Sequence, residues 1–310
     1  MYDTQFGADP EIFVVDKDGN CIPPAALRED FGLKYLDEKT LINGDGWSII
    51  EDGAATEINF MPSDDENTIF ERIENAITGI SKFIKDKFDL ETIIFPTVPF
   101  DVKKYWNNRG EEFRDCVRFG CDPDLDIYSG EFSTEISADD IPERYGGGHI
   151  HMQAPENNMG LFDETYYHAT ILMDILVGNS GVAFMRPNMN WIKAEKSRLK
   201  YYGRPGKIRL QEYPNGMKGI EYRTPSNFWI TNPLVGDALL TLMNTVFNLV
   251  KNPTDASKFL ESELPHLAPK NVLNFDQTRA FNIFCDALDK LGSMRYLSYD
   301  KISSLVNLCK

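Results

Sequence analysis

The sequence has few of the residues, and none of the long patterns, that mark several common protein classes. Its 310 residues include only four histidines and five cysteines, and no apolar run approaches the roughly 20 residues that a membrane-spanning helix needs. Residues 1–6 have neither the basic nor the apolar segment of a secretory signal. An odd number of cysteines without an export signal indicates reduced thiols. We therefore expect a soluble, cytoplasmic protein.

The chain also lacks the short motifs of several large enzyme families. It contains no Gly-x-x-x-x-Gly-Lys-Ser/Thr loop, no Gly-x-Gly-x-x-Gly before a predicted helix, no Gly-x-Ser-x-Gly and no His-Glu-x-x-His. P-loop, Rossmann, α/β-hydrolase and zinc-protease interpretations are therefore not supported. Cys116 and Cys121 lack the second Cys-x-x-Cys pair of a structural zinc site, so we interpret them as ordinary thiols.

Basic residues are scarce relative to acidic ones, with 32 Lys and Arg against 48 Asp and Glu, for a net charge of −16. Because nucleic-acid binding draws most of its affinity from Lys and Arg on phosphates, this balance argues against a nucleic-acid partner. Residues 193–223 are the exception: nine Lys and Arg and three Glu give a net of +6, which leaves −22 on the rest of the chain. This stretch predicts a local anion-binding site.

The hydrophobic spacing predicts strands and helices in irregular order. The predicted strands cover residues 12–15, 55–60, 92–98 and 219–224, and residues 146–152 read as a glycine turn that opens a further strand. The predicted helices cover residues 69–84, 163–177, 234–250, 277–291 and 299–308. Residues 107–144 and 193–207 read as loops. Because strands and helices do not alternate regularly, we predict an α+β fold around a mostly antiparallel sheet, with residues 1–232 as core and 233–310 as a helical C-terminal region packed on it.

Two glutamates lie in otherwise apolar strand segments. Glu11 precedes residues 12–15, and Glu57 interrupts residues 54–60. Each is compatible with a solvated strand position, because charged side chains are rarely buried without a partner. Two carboxylates that faced one cleft would repel each other unless a hard cation such as Mg²⁺ lay between them. A shared metal site is therefore the functional interpretation.

Two of the four histidines, His149 and His151, follow a run of three glycines. In a strand, residues i and i+2 point to the same face, and glycines allow a backbone to approach a ligand closely. Two structural histidines are the alternative, but the preceding glycines favour a ligand site, because a plain core strand would not need them. Imidazole combined with carboxylate oxygens suits Mn²⁺ or Mg²⁺ better than a structural zinc.

Four of the nine basic residues in this stretch are arginines. Arg198, Arg204 and Arg209 lie in a segment with Gly203, Pro205 and Gly206, and Glu221-Tyr222-Arg223 follows. Such a charge run is often only a solvated face. The glycines and proline favour a shaped loop, however, and arginine binds carboxylate or phosphate through two hydrogen bonds.

The order of these features resembles the glutamine synthetase-like carboxylate–amine ligase superfamily, and more narrowly the phage-encoded phiEco32-like COOH–NH2 ligases of type 2. Residues 7–13, 52–59, 119–124, 147–151, 202–203 with Arg209, and 221–229 carry this resemblance. The resemblance implies a curved sheet whose concave face holds ATP through two or more Mg²⁺ or Mn²⁺ ions. The implied metal ligands are Glu11, Glu57, His149 and Glu221. The implied nucleotide contacts are His149, His151, Arg198, Arg204, Arg209 and Arg223, and the implied catalytic residues are Arg223, Arg209 and Glu57.

The implied activity is an ATP-dependent ligase that joins a small-molecule or peptide carboxylate to an amine through an acyl phosphate. Metals and arginines suit this chemistry because it mainly requires charge neutralisation and positioning. Residues 107–144 are a candidate lid that would exclude water. Three alternatives stay open: a phosphotransferase, an ATP-independent metal hydrolase, and a binding module without activity.

Overall fold

The structure is a computed structural model that describes residues 1–37, 39–107, 110–119, 123–133, 136–138, 140–155, 158, 160–185, 189–213 and 216–309. The strands in these residues are β1 (Gln5–Ala8), β2 (Glu11–Val15), β3 (Thr40–Gly44), β4 (Trp47–Asp52), β5 (Ala55–Phe60), β6 (Glu91–Ile93), β7 (Thr97–Pro99), β8 (Arg118–Phe119), β9 (Leu125–Asp126), β10 (Glu131–Phe132), β11 (Ile136–Ser137), β12 (Glu143–Tyr145), β13 (Ile150–Gln153), β14 (Lys207–Glu212) and β15 (Lys218–Tyr222).

The α-helices are α1 (Pro24–Phe31), α2 (Glu66–Phe88), α3 (Leu161–Met173), α4 (Asn179–Phe184), α5 (Met189–Arg198), α6 (Pro233–Val250), α7 (Pro253–Leu260), α8 (Leu264–Asn274), α9 (Gln277–Ser293) and α10 (Tyr299–Asn307). A π-helical turn, Asp174–Gly178, joins α3 to α4.

Two antiparallel sheets form the framework for the functional residues. A six-stranded sheet has the order β1-β13-β15-β14-β9-β10, and a five-stranded sheet has the order β3-β4-β5-β2-β6. Only Asp9 and Pro10 separate β1 from β2, so the chain passes from the first sheet into the second at that point. Hydrogen bonds tie this junction to both sides: Glu11 N donates to Gly147 O at 2.9 Å, and Ile58 N donates to Pro10 O at 3.0 Å.

Helix α2 covers the five-stranded sheet. Its isoleucines at positions 69, 73, 80 and 84 are buried, as their spacing of four and seven residues predicts. The Asp65 side chain caps the helix start by accepting from Thr68 N, and Asp89 ends the helix in the left-handed conformation. The predicted helix at residues 69–84 is therefore confirmed and extends further at both ends.

The C-terminal helices share one cluster of buried apolar side chains with the two sheets. Among the described residues, α6 is the one helix long and apolar enough to cross a membrane, and 67% of it is buried inside the protein. It packs against α3, the π-helical turn and the 3₁₀ turn Asn227–Thr231. The predicted helices at residues 163–177, 234–250, 277–291 and 299–308 are confirmed within a few residues.

Three local predictions were wrong. Residues 92–98 form two short strands, because the segment containing Pro96 leaves β2 and β7 pairs with β12 instead. Residues 193–207 begin inside helix α5, whose buried face consists of Ala194, Glu195 and Arg198 and therefore shows no apolar period. The described part of residues 107–144 contains a 3₁₀ helix, Gly110–Val117, and five short strands rather than loop alone.

Candidate active site

The strand register of the six-stranded sheet aligns four residues in one row. Gly7, His151, Glu221 and Arg209 are direct cross-strand neighbours on β1, β13, β15 and β14. Residues in such a row project from the same face of a sheet. The register therefore places an imidazole, a carboxylate and a guanidinium group side by side, with no side chain on the β1 position beside them.

The five-stranded sheet contributes a second group of acids. Glu11 on β2 lies directly opposite Glu57 on β5, and Asp52 ends β4 at the hairpin that leads into β5. Asp9, at the junction of the two sheets, lies between this group and the row on the first sheet. The acidic side chains therefore reach a common cleft from both sheets.

Asp9 lies at the centre of a cluster that it forms with His149, His151 and Glu221, here called the imidazole cluster. Its Oδ1 atom lies 3.0 Å from His149 Nδ1, and its Oδ2 atom lies 3.3 Å from His151 Nε2. Glu221 Oε1 lies 3.5 Å from the same His149 nitrogen. The ligand atoms of Asp9, His151 and Glu221 all lie within 4.8 Å of one another, which is the spacing of a group that can hold one cation.

Several atoms of this cluster are buried without a hydrogen bond. Asp9 Oδ1, His149 Nδ1 and His151 Nε2 have no hydrogen-bond partner among the described residues, although oppositely polar atoms lie close by. A buried polar atom that makes no hydrogen bond costs free energy, so such atoms call for an explanation. A divalent cation between them would satisfy all three, and the donor set of two imidazoles and two carboxylates fits a metal such as Mn²⁺.

Each imidazole has a tyrosine hydroxyl at its second nitrogen. Tyr202 Oη lies 2.8 Å from His149 Nε2, and Tyr213 Oη lies 3.4 Å from His151 Nδ1. The Tyr202 hydroxyl also donates to Glu11 Oε1 at 3.2 Å. Hydrogen bonds at the second ring nitrogen fix the tautomer and orientation of metal-binding histidines. The two tyrosines therefore orient both rings towards Asp9.

Two arginines converge on Glu221, which is fully buried. Arg209 Nη1 donates to Glu221 Oε2 at 3.0 Å, and Arg223 Nη1 donates to Glu221 Oε1. Gln211 Nε2 donates to Glu221 Oε2 at 2.6 Å. Burial is the largest influence and would raise the pKa of Glu221, but Arg223 and the two imidazoles together lower the pKa below its ordinary value. Glu221 therefore holds two cationic side chains beside the imidazole cluster.

The pKa values of the acids on the five-stranded sheet are raised, whereas that of Glu221 is lowered. Burial, followed by repulsion from Asp52, raises the pKa of Glu11 to about 8. Burial and repulsion from Asp9 raise the pKa of Asp52 and hold that of Glu57 well above its ordinary value. The neighbouring positive charge, chiefly Arg223, therefore does not offset burial and mutual repulsion in this acid group, which is the condition under which carboxylates bind cations.

The pKa values of the groups in the imidazole cluster are shifted in different directions. Burial alone would raise the pKa of Asp9, but the two imidazoles outweigh it and hold the pKa well below its ordinary value. Burial and Arg223 lower the pKa of His149, whereas Asp9 outweighs burial at His151 and raises its pKa. His149 is therefore the more readily deprotonated imidazole, as a metal ligand must be.

A cavity of about 250 Å³ joins these groups. Its wall includes Asp9, Glu11, Glu57, His149, Arg209 and Arg223. Asp115, Cys116 and Arg144 also line this cavity. They belong to residues 107–144, for which the role of a lid stays a prediction. Gly147 and Gly148 have no room for a side chain, because an added Cβ would overlap His149 Nε2 and Ser226 O respectively.

Two of the arginines named from the sequence lie elsewhere. The buried Arg198 side chain donates to Glu195 Oε2 at 3.0 Å and to Thr224 O at 2.7 Å, and it does not line the cavity. The Arg204 side chain is exposed, and its carbonyl oxygen accepts from Thr224 Oγ1. The structure thus separates the cavity arginines, Arg209 and Arg223, from a buried structural one and an exposed one.

The sequence reasoning gave no role to Asp9, Asp52 and Tyr202, all of which line the cavity. Asp9 could have been found, because it lies two residues before Glu11 in the same motif. Asp52 begins the motif that contains Glu57. Tyr202 belongs to residues 202–203 of the resemblance, but its contact with His149 could not be predicted, because its position depends on the path of the loop that follows α5.

No family model matches the chain, and no curated protein sequence matches it. Among solved structures, the chain is similar to the glutamine synthetase of Plasmodium falciparum, with 12% identity and a TM-score of 0.50 over 99% of this chain and 72% of that one. It is also similar to a chain in the complex of the prokaryotic ubiquitin-like protein Pup with its ligase PafA, with 10% identity and a TM-score of 0.45 over 99% of this chain. This chain spans 62% of the length of that second match.

At these identities the similarity shows the fold alone. The sheets are antiparallel, helices flank them, and nearly the whole chain aligns with the synthetase. The predicted α+β class is therefore confirmed, and the chain has a glutamine synthetase-like fold.

Proposed function

We propose that the protein is an ATP-dependent carboxylate–amine ligase. The observation that carries the proposal is that acids from two sheets, two imidazoles and two guanidinium groups converge on one cavity and on the cluster of buried side chains beside it. The glutamine synthetase-like fold supports it. The substrates we propose are a small-molecule or peptide carboxylate and an amine, in the cytoplasm. The narrower likeness to phage ligases of type 2 depends on the sequence motifs alone.

Arg209 and Arg223 are the groups that would neutralise a phosphoryl group. Both guanidinium groups lie in the cavity, and both are held by Glu221, which limits their movement. Arginine stays charged at any relevant pH and binds phosphate oxygens through paired N–H groups. Fixed positive charge aimed at a developing negative charge lowers the barrier without reorganisation during the reaction. Glu57, at the same cavity, is the third group that we propose contacts the reacting atoms.

Asp9, His149, His151 and Glu221 would hold one divalent cation, and Glu11, Asp52 and Glu57 would hold another. When bound, such ions polarise phosphoryl oxygens and offset the repulsion between two anionic substrates. The protein's own part is to keep the ligand atoms oriented, which Tyr202 and Tyr213 do for the imidazoles. Gly147 N also donates to Glu11 Oε2 at 2.9 Å and so fixes that carboxylate.

The proposed reaction consists of two successive transfers. A carboxylate oxygen of the first substrate takes the terminal phosphoryl group of ATP and releases ADP. The amine nitrogen then attacks the acyl carbon, the C–O bond to phosphate breaks, and the nitrogen loses a proton. Enclosure matters because water would otherwise hydrolyse the acyl phosphate.

The test is metal-dependent release of ADP, screened over a panel of amino acids and peptides. Mass spectrometry would look for a product lighter by one water than its two substrates. We expect the Arg223→Lys variant to lose turnover, because lysine keeps the charge but not the paired N–H groups. Lys200→Ala is a matched control, since Lys200 is an exposed basic residue of the same stretch.

Two outcomes would contradict the proposal. Release of ADP without any amine, together with a phosphorylated product, would identify a phosphotransferase. Hydrolysis of a substrate in the absence of ATP would identify a metal hydrolase.

A further inference from the structure

A carboxylate behind the six-stranded sheet is not part of the cavity. Asp174 begins the π-helical turn Asp174–Gly178, and it is fully buried. Single π-helical turns inside α-helices are rare and occur frequently near functional sites. A buried carboxylate is costly unless hydrogen bonds satisfy it, so its partners indicate what it stabilises.

Asp174 accepts hydrogen bonds from three separate segments. Its Oδ1 atom accepts from Tyr222 Oη at 2.7 Å and from Gly206 N at 3.2 Å. Its Oδ2 atom accepts from Tyr128 Oη at 2.7 Å. Burial raises the pKa of Asp174 to about 6, against the effect of the two tyrosine hydrogen bonds, so the group is largely ionised at neutral pH. One carboxylate thus ties together strand β15, the turn before β14 and the turn after β9.

Two of these segments carry a cavity side chain at a nearby position, and the third carries a carboxylate that lies near one of those side chains. Tyr222 lies between Glu221 and Arg223, and successive strand residues point to opposite faces of a sheet. Gly206 lies three residues before Arg209, and it adopts a φ of +83° that favours glycine. Tyr128 lies in the turn that follows β9, and Asp124 directly precedes the same strand. The Oδ2 atom of Asp124 lies 3.6 Å from Arg223 Nε.

The backbone of the π-helical turn approaches the Tyr222 hydroxyl group closely. Gly178 lies one turn along from Asp174, and a Cβ added there would overlap the Tyr222 hydroxyl. An added Cβ at Gly206 would in turn meet the Tyr128 ring at 2.5 Å. Asp174 and its partners therefore form a close-packed unit, in which a shift of one segment requires a shift of the others.

We propose that Asp174 is a positioning residue for the proposed ligase, which sets the placement of Arg209 and Arg223 from the opposite face of the sheet through Tyr222, Gly206 and Tyr128. The inference rests on the proposed function. A displacement of about 1 Å at a reacting group can cost up to about 100-fold in rate, so a hydrogen-bond network of this kind affects turnover without touching substrate.

The test removes single hydroxyl groups from this network. Tyr222→Phe and Tyr128→Phe each delete one hydrogen bond to Asp174. Because the Tyr128 ring is partly exposed, Tyr128→Phe provides a second variant for the test if Tyr222→Phe does not fold. Tyr296→Phe is the matched control, because Tyr296 Oη donates to Asp255 Oδ2 at the same 2.7 Å outside the site. The measurements are the denaturation midpoint, the rate of ADP formation, and the affinity for the β,γ-imido analogue of ATP with Mn²⁺.

We expect Tyr222→Phe to lower the denaturation midpoint more than Tyr296→Phe, because it removes a hydrogen bond between two fully buried groups. Tyr128→Phe and Tyr296→Phe should shift the midpoint by similar amounts. Tyr222→Phe and Tyr128→Phe should lower the rate of ADP formation by about tenfold while changing the affinity for the analogue by less than about threefold. Tyr296→Phe should leave the rate unchanged. Rates within about twofold of the control for both variants would overturn the proposal.

Failure of the proposed function itself would be recognised in the unsubstituted protein, which would neither bind the analogue nor form ADP. Positioning would then be measured by amide hydrogen exchange over residues 203–212. We expect faster exchange there in Tyr222→Phe and Tyr128→Phe than in Tyr296→Phe, and equal exchange in all three variants would overturn the role of Asp174.

Discussion

Replacing Glu11 with glutamine should make the metal-free protein more stable at neutral and alkaline pH. Glu11 is almost fully buried, and burial with repulsion from Asp52 raises its pKa from 4.5 to about 8. Between these two values the folded protein keeps a proton that the unfolded chain has lost. The free energy of unfolding therefore falls as pH rises through this range.

The size of the effect follows from the same shift. One pKa unit corresponds to about 1.4 kcal/mol, so the Glu11 contribution is fully present near pH 4 and diminishes by up to about 1.4 kcal/mol per pH unit until about pH 8. Glutamine has no such proton and keeps nearly the same shape. We compare the free energy of unfolding of Glu11→Gln with that of the unsubstituted protein at each pH. Between pH 5 and pH 8 this difference should change by a few kcal/mol in favour of the variant.

The assay is denaturant unfolding between pH 5 and pH 9 in the presence of a chelator, repeated with Mn²⁺. Glu71→Gln is the control, because Glu71 is an exposed glutamate on α2. With Mn²⁺ the order should reverse, since the unsubstituted protein gains a charged ligand for the cation that the variant lacks. Parallel curves for Glu11→Gln and the unsubstituted protein over the whole pH range would refute the reasoning.

Three further predictions concern single side chains. Arg198→Met should lower the free energy of unfolding by about 3–5 kcal/mol, because it leaves the buried Glu195 without its cation, yet calorimetry should find unchanged affinity for an ATP analogue. His151→Asn should weaken Mn²⁺ binding by about 10- to 100-fold and Mg²⁺ binding less, as titration of each ion alone would measure. Arg223→Lys should lower the rate of ADP formation by about 100-fold, a loss that a coupled ADP assay would detect.

Local sequence patterns predicted much of the secondary structure. Helices α2 and α9 have apolar residues at helical spacing and an aspartate at the N-cap, so short-range interactions alone identify them. Helix α5 was missed because its buried face contains an Arg–Glu pair rather than apolar residues. The predicted strand over residues 92–98 was wrong because periodicity does not show which sheet a segment joins.

The functional residues divide in a similar way. Glu11, Glu57, His149, Glu221 and Arg223 stand out in the sequence because charged or imidazole side chains interrupt apolar strands or follow glycines. The structure brings four of them to one cavity, and the fifth, Glu221, is buried beside it in contact with His149 and Arg223. Their individual roles in metal and nucleotide binding stay predictions.

The sequence by itself determined which residue types were available and which face of a strand they share, because these depend on neighbours a few positions away. Only the tertiary structure decided which arginine of the basic stretch lies at the cavity and which is buried beside Glu195. It also decided that Asp9 faces both imidazoles and that Asp174 lies behind the sheet. Those positions depend on strand register and on the junction of two sheets, which join segments more than 100 residues apart along the chain.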